Sequence, residues 1–289
     1  MADMEPPPTP AWTGIWGSSP NDLFVVGEYG AIGHYDGKKW SLMDSGTSLW
    51  LSAVTGTAPD SVYAAGYNGL ILHYDGRRWM KMETGVSNDL NGIWAGSPTN
   101  VYAVGDRGTI LHFNGARWAP VPSGTLNLLF SIWGSSPNNL YAAGGRSTVL
   151  HFDGKTWKPV GMPKAGHFVG VWGGSADDIF LVGDEGIILH FDGQAWLSMA
   201  SGVSDVLRAV WGSSGRNVFA GGENGLVLHY NGSVWQKQST EATEPLRAIW
   251  GNGTSNVYMV GDNGLILHYD GQNWTNLVQE DGKTLMRTP

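Results

Sequence analysis

The chain has 289 residues, no cysteine, 43 glycines, 15 tryptophans and a formal net charge of −8. Without cysteine there is neither a disulfide framework nor thiolate chemistry, and the redox compartment is left open. The 17 lysines and arginines are scattered, with no run longer than the pairs Lys38-Lys39 and Arg77-Arg78, which argues against nucleic acid as a partner because that needs a clustered basic footprint, and no apolar run approaches the roughly 20 residues of a membrane helix.

In chain order, segment 1–10 is a proline-rich leader with neither a positive region nor an apolar stretch, so no signal peptide is expected in it. An extracellular or periplasmic location is compatible with a trimmed chain, and the compartment is otherwise open. From 11 to 278 one pattern recurs every 39 residues without insertion or deletion. Its signature is H-[YF]-[DN]-G-x-x-W, with histidines His34, His73, His112, His151, His190, His229 and His268, each followed six residues on by Trp40, Trp79, Trp118, Trp157, Trp196, Trp235 and Trp274. A second phrase, W-G-S-S-P-N-D and its variants, keeps the same step at Trp16, Thr55, Trp94, Trp133, Trp172, Trp211 and Trp250. Segment 279–289 is a polar tail. A fixed period of this length means one supersecondary unit copied seven times, each copy packing on its neighbours because none can bury a core alone.

The third copy shows the unit. Residues 90–94 alternate and read as a strand; 96–100 form a turn cluster; 101–104 are rich in strand formers. Gly105-Asp106-Arg107-Gly108 predicts a tight turn with its glycines at positive φ. A third strand covers 109–113, and Asn114-Gly115 predicts a two-residue type I′ hairpin into a fourth strand at 118–121. Four antiparallel strands per copy, seven copies and no helical period predict an all-β, seven-bladed β-propeller. A parallel β-solenoid fits poorly, because tight hairpins demand antiparallel partners. Copy one begins at an inner strand and copy seven ends at an outer one, so a strand-swapped latch would have to come from the leader. Pro6, Pro7 and Pro8 lack backbone donors and suit a sheet badly, so closure without such a latch is expected.

Most of the memorable residues are read as scaffold. Each repeated histidine is expected to hydrogen-bond a neighbour rather than join a metal site, since the seven copies lie far apart around a ring. The Asp or Asn before the glycine is a turn former, because Asn114 and Asn231 replace Asp with no other change in the motif. Positions 12, 14 and 16 are expected to share one face of the inner strand, as large, small and Trp. The motif His34-Tyr35-Asp36-Gly37-Lys38-Lys39-Trp40 and its six copies resemble the Asp-box hairpin, S-x-D-x-G-x-x-W, of sialidase-type and photosystem-assembly-factor-type propellers. Here His replaces the leading Ser, and one residue between Asp and Gly is missing. The resemblance implies the blade layout and carries no sialidase activity, because that family's arginine triad and tyrosine nucleophile have no counterpart. The tryptophan-rich blade array also resembles bacterial and invertebrate propeller lectins.

The copies differ in two loops that propellers place on one face. The turn between second and third strands starts with a carboxylate in five copies, including Asp106, Asp184, Glu223 and Asp262, followed by residues such as Arg107, Arg146 and Glu185. Such an acidic rim suits a cation such as Ca²⁺ or a hydroxyl-rich ligand. No other cofactor is expected. The loop between blades carries Trp50 and His167, the one histidine off the repeat, while Arg208 and Arg247 fall on adjacent blades. These eleven residues are the candidate ligand site, either as an asymmetric pocket or as a salt-bridge cluster. Asn231, Asn252 and Asn273 begin glycosylation sequons. No catalytic triad, Walker loop, nucleotide fingerprint or HExxH occurs. The expected function is a non-catalytic, multivalent carbohydrate-binding module, with a glycan or a protein as partner. The alternatives are a protein-interaction scaffold or assembly factor, and a lyase or hydrolase using the asymmetric pocket.

Overall fold

The structure, a computed structural model, describes residues 9–277. The tail, and the leader except Thr9 and Pro10, lie outside them. Seven antiparallel four-stranded sheets each use four consecutive strands in sequence order. The blades span Trp12–Met43, Leu51–Met82, Leu90–Pro120, Leu129–Pro159, Phe168–Met199, Leu207–Gln238 and Leu246–Asn276, and the first strand of each faces the central channel. Among the described residues no helix is long and apolar enough to cross a membrane. The expected seven-bladed propeller is thus the observed fold.

Both faces of every sheet are apolar, and the core is divided into seven clusters between neighbouring blades. Phe24, Val26 and Ile32 of blade one meet Leu51, Val54, Leu72 and Trp79 of blade two. The last cluster joins Trp12, Ile15 and Val25 to Tyr258, Val260 and Ile266 of blade seven. The ring therefore closes by face-to-face packing, and blade seven draws all four of its strands from its own segment. The start of the chain serves as blade seven's outgoing loop: Ala11 accepts from Glu28 N as Trp50 accepts from Tyr67 N. A Cβ added at Gly264 of blade seven would meet Thr9 Cγ2 at 2.3 Å.

Two β-bulges per blade escape the sequence pattern. In blade one the register steps from Trp12↔Gly27 to Gly14↔Val26. The extra residue turns Trp12 toward blade seven, while Trp16 packs toward blade two. Only positions 14 and 16 share a face, which corrects the expectation for 12. At the other end of the inner strand, Val101 pairs with Ala95 and Asn100 with Ser97. The strand Leu90–Ser97 thus runs three residues further than expected, and the turn shrinks to Pro98-Thr99.

The tryptophan of each inner strand lies over a glycine of the next blade. Trp16, Trp94, Trp133, Trp172, Trp211 and Trp250 cover Gly56, Gly134, Gly173, Gly212, Gly251 and Gly17, where an added Cβ would fall 2.6–3.1 Å from ring carbons. Blade two has Thr55 instead of Trp, and the position it faces is Ala95 instead of Gly. Large with absent and small with methyl are the same interlock at two sizes. Five outer tryptophans, Trp79, Trp157, Trp196, Trp235 and Trp274, pack edge-on against the second-strand ring of the preceding blade, as Trp79 does on Phe24 at 6.1 Å and 81°.

The outer hairpin is not a type I′ turn. Four residues link the strands, and only the glycine has positive φ, as at Gly115 (+89°). The Asn114 side-chain oxygen accepts from the backbone N–H of Ala116 and Arg117 at 3.0 and 3.1 Å, and all seven blades repeat this Asx turn, as at Asp36, Asp153 and Asp270. Asp and Asn both supply the acceptor, so their exchange is explained by a different turn from the one expected. The donated N–H groups hold the carboxyls of Asp36, Asp75, Asp192 and Asp270 below the usual carboxylate range. At Asp153 the Lys158 ammonium does most, with the backbone adding to it.

The repeated histidines are scaffold. Each stacks on the ring paired with it on the second strand, at centroid distances of 4.3–4.5 Å in all seven blades. In six blades Nε2 also bonds an Asp or Asn at the start of that strand, as His190 bonds Asp178 at 2.7 Å. Blade two has Ser61 there, and no bond from it to His73 occurs among the described residues.

Candidate functional site

The two variable loops are tied together at the channel mouth. In each blade the first residue of the inner turn donates its N–H to the carbonyl that precedes the inner strand: Tyr67 to Trp50, Asp106 to Asp89, Gly145 to Leu128, Asp184 to His167, Glu223 to Val206 and Asp262 to Pro245. Variation in either loop therefore alters the same surface.

Backbone geometry at this turn differs from the expectation. Gly105 is extended, and the left-handed conformation falls on Arg107 (+56°) and on Gly108 (+67°). The glycine is required twice over, since a Cβ at Gly108 would meet the Thr125 carbonyl oxygen at 2.2 Å. The residue before this position is left-handed in every blade (Tyr29, Asn68, Arg107, Arg146, Glu185, Asn224 and Asn263), and in blade four the glycine itself is replaced by Ser147, also left-handed at +60°. Asn adopts this region with little strain, whereas other L-residues are disfavoured there by roughly 1 kcal/mol. Tyr29, Arg107, Arg146 and Glu185 hold the strained geometry on a solvent-facing loop, where packing gives no reason for it.

The carboxylates of the rim are each committed within their own blade, most of them to the residue 15 positions upstream. Glu28 accepts from Ala11 N at 3.0 Å. Asp106 accepts from Asn91 Nδ2 at 3.0 Å. Asp184 meets His167 Nδ1 at 3.3 Å. Arg208 pairs with Glu223 through Nε and Nη2. Arg247 pairs with Asp262 through Nε and through Nη2, the latter at 2.9 Å. The Asp262 hydrogen bond raises the Arg247 pKa above its ordinary value against the opposing effect of burial, with Glu223 and Glu28 adding to the rise. The acidic rim is thus a set of separate local pairs. Among the described residues no three His, Cys, Asp or Glu side chains gather to hold a metal ion.

Inside the mouth lies a cavity of about 420 Å³, within the ~300–1,000 Å³ of ligand pockets. Its upper ring is Thr13, Ser52, Asn91, Phe130, Val169, Arg208 and Arg247, and the β-branched residues Ile15, Val54, Ile93, Ile132, Val171, Val210 and Ile249 form an aliphatic collar below. Trp50 and Tyr67 stand at one side, stacked at 5.5 Å and 8°. Of the predicted site residues, Trp50, Arg208 and Arg247 line this cavity together. Asp106, Asp184, Glu223, Asp262 and His167 form the pairs around it, and Arg107, Arg146 and Glu185 occupy the left-handed turns.

Sequence reasoning left out several residues that dominate this face. Tyr29 is 66% exposed and Leu126 85% exposed, with Tyr67 and Leu128 also exposed. The signal was available: each is a large apolar side chain in a loop where the other copies are mostly polar or small.

The mouth defines the class of protein: a closed seven-bladed β-propeller with a non-repeating loop face around its channel. The sequence matches no family model and no curated protein. Among solved structures, the chain is similar to YCF48 from Cyanidioschyzon merolae, at 16% identity and a TM-score of 0.76 over 92% of this chain and 98% of that one. It is similar to YCF48 bound to D1 peptide, at 15% identity and a TM-score of 0.75 over 92% and 93%. It is also similar to the WD40 β-propeller domain of Doa1, at 11% identity and a TM-score of 0.77 over 95% of both chains. At these identities the likeness is one of fold.

Proposed function

We propose that this propeller is a protein-interaction module that holds a partner on the channel-mouth face. The observation that carries the reading is the placement of exposed apolar side chains. Tyr29, Tyr67, Leu126 and Leu128, four of the seven large hydrophobics that are exposed among the described residues, stand on the mouth loops, and Tyr67 stacks on Trp50. Exposed apolar side chains concentrated on one charged face are the usual mark of a protein contact. The strained left-handed Tyr29, Arg107, Arg146 and Glu185 support the same face, since Asn in those places would fold at lower cost. That a propeller of like fold, YCF48, is bound to a D1 peptide agrees with this use of the fold.

A multivalent sugar site, the expectation from the tryptophan-rich repeat, depends on repeated exposed rings. The repeated rings are packed between blades: Trp40, Trp79, Trp118, Trp157 and Trp235 are buried. The exposed rings Tyr29 and Tyr67 are not repeated. A photo-crosslinking residue placed at Leu128 should capture a defined protein from the producing cell, while one at Val234, on a hairpin of the opposite face, should not. Equal capture from both faces, or no capture together with binding on a glycan array, would overturn the reading.

A further inference from the structure

The upper ring of the cavity is divided into sectors. Blades one to three contribute the small polar Thr13, Ser52 and Asn91, blades four and five the apolar Phe130 and Val169, and blades six and seven Arg208 and Arg247. Two arginines at the top of a pocket suggest an anion, but the charge balance points elsewhere. Arg208 and Arg247 are bound through Nε and Nη2 by Glu223 and Asp262, and Glu28 acts on Arg247 as a third carboxylate. Two guanidiniums among three carboxylates leave no net positive field to attract an anion, and a buried extra carboxylate would be repelled.

What remains is hydrogen-bonding capacity. No bond to Nη1 of either arginine occurs among the described residues, so both keep donors. Asn91 donates its Nδ2 to Asp106 and to the Leu129 carbonyl, each at 3.0 Å, and keeps its Oδ1 as an acceptor. Below this ring, the collar of isoleucines and valines offers only aliphatic surface. A polar rim with both donors and acceptors over an apolar floor matches an amide carried on an apolar side chain.

We propose that the channel mouth binds an uncharged, apolar-tipped peptide segment, whose side chain enters the aliphatic collar while its main-chain amides bond Arg208, Arg247 and Asn91, and that it discriminates against carboxylates. This rests on the protein-interaction reading and specifies the chemistry of the partner's inserted segment. The pairing carboxylates Glu223 and Asp262 set the preference: they fix the guanidiniums and cancel their charge.

The test uses two probes of nearly equal shape, N-acetyl-phenylalanine amide and N-acetyl-phenylalanine, titrated into the full chain with labelled isoleucine methyl groups. The amide is expected to shift the methyl resonances of Ile15, Ile93, Ile132 and Ile249 with a Kd of about 1 mM, the order expected of a fragment this size. The free acid is expected to bind at least ~10-fold more weakly. In the Glu223→Gln, Asp262→Asn double variant the order should reverse, because the guanidiniums are then uncompensated; Glu223→Gln alone serves if the pair fails to fold. Acid bound as tightly as amide by the native chain, or no methyl shift with either probe at ~20 mM, well above that Kd, would overturn the proposal. If crosslinks form at Leu128 while the pocket ignores both probes, the pocket assignment falls and the interaction reading stands.

Discussion

Every blade carries an outer hairpin and a mouth turn built from the same 39-residue unit, yet the hairpin has one solution used seven times and the mouth turn has seven sequences. The contrast lies in what each backbone asks of its side chains. The hairpin needs an oxygen acceptor for two N–H groups, so position 36 and its equivalents are held to Asp or Asn. The mouth turn takes its shape from a glycine, or Ser147 in blade four, and from main-chain bonds to the neighbouring loop. Its middle residue needs only to accept a left-handed backbone, and Tyr, Arg, Glu or Asn all do so. Where the main chain makes the structure, the side chain is free to face a partner.

The largest test of the scaffold is removal of an interlocking indole. Trp94→Ala should cost about 3–5 kcal/mol in urea unfolding, because the ring covers Gly134 of the next blade. A cost below ~1 kcal/mol would show that blade contacts are not set by this ring. The irregular blade sharpens the same point. Thr55→Trp alone should overpack against Ala95 and cost about 1–3 kcal/mol. Adding Ala95→Gly should recover most of that loss in a double-mutant cycle; additive effects would break the pairing of sizes.

Next comes the hairpin. Asn114→Ala should cost about 1 kcal/mol by leaving two N–H groups without their acceptor, while Asn114→Asp should stay near neutral. At the mouth the sign reverses: Tyr29→Asn, Arg107→Asn and Glu185→Asn should each raise stability by about 0.5–1 kcal/mol through relief of left-handed strain, and weaken capture of a partner. Stability lost on these changes would place the strain elsewhere.

The smallest effect per residue is acid sensitivity of the stacked histidines. Burial holds His73, His112, His151, His229 and His268 below the ordinary imidazole value. The unfolded chain then binds more protons, so this part of the stability is complete above the unfolded value of about 6.5 and falls as pH drops through it toward the folded values. Thermal unfolding at about pH 7.5 and 5.5 should show Tm falling in acid. His112→Gln should flatten the slope, and an unchanged slope would exempt this ring.

The period revealed the blade number, and the turn signals inside one copy gave its four strands, because repetition averages out local ambiguity. Errors came where one sequence signal serves two geometries. Asn114-Gly115 fits a type I′ turn and an Asx turn equally, and only the two N–H groups behind it decide. Thr13 is an ordinary strand residue, and nothing in its identity announces the bulge that turns Trp12 away from Trp16. The pairs Arg208–Glu223 and Arg247–Asp262 share a separation of 15 that the sequence displays, but that spacing acquires meaning only once the bulge sets which inner-strand residue faces the turn. Arg208, Arg247 and Trp50 were legible as departures from the repeat. Tyr29 and Leu126 depart equally from their copies, but a lone apolar side chain in a loop has no charge partner at a fixed spacing to give it meaning.

Thr9 and Ala11 fill, at the seam between blades seven and one, the place that a linker fills at the other six junctions. Among the described residues the seam packs as the other six junctions do. The chain should therefore tolerate circular permutation, with new ends opened at the linker after Met82 or Met199 and a short bridge across the old gap. A fold assembled from equivalent junctions has no intrinsic beginning, and duplication of a single blade is the simplest history that produces one.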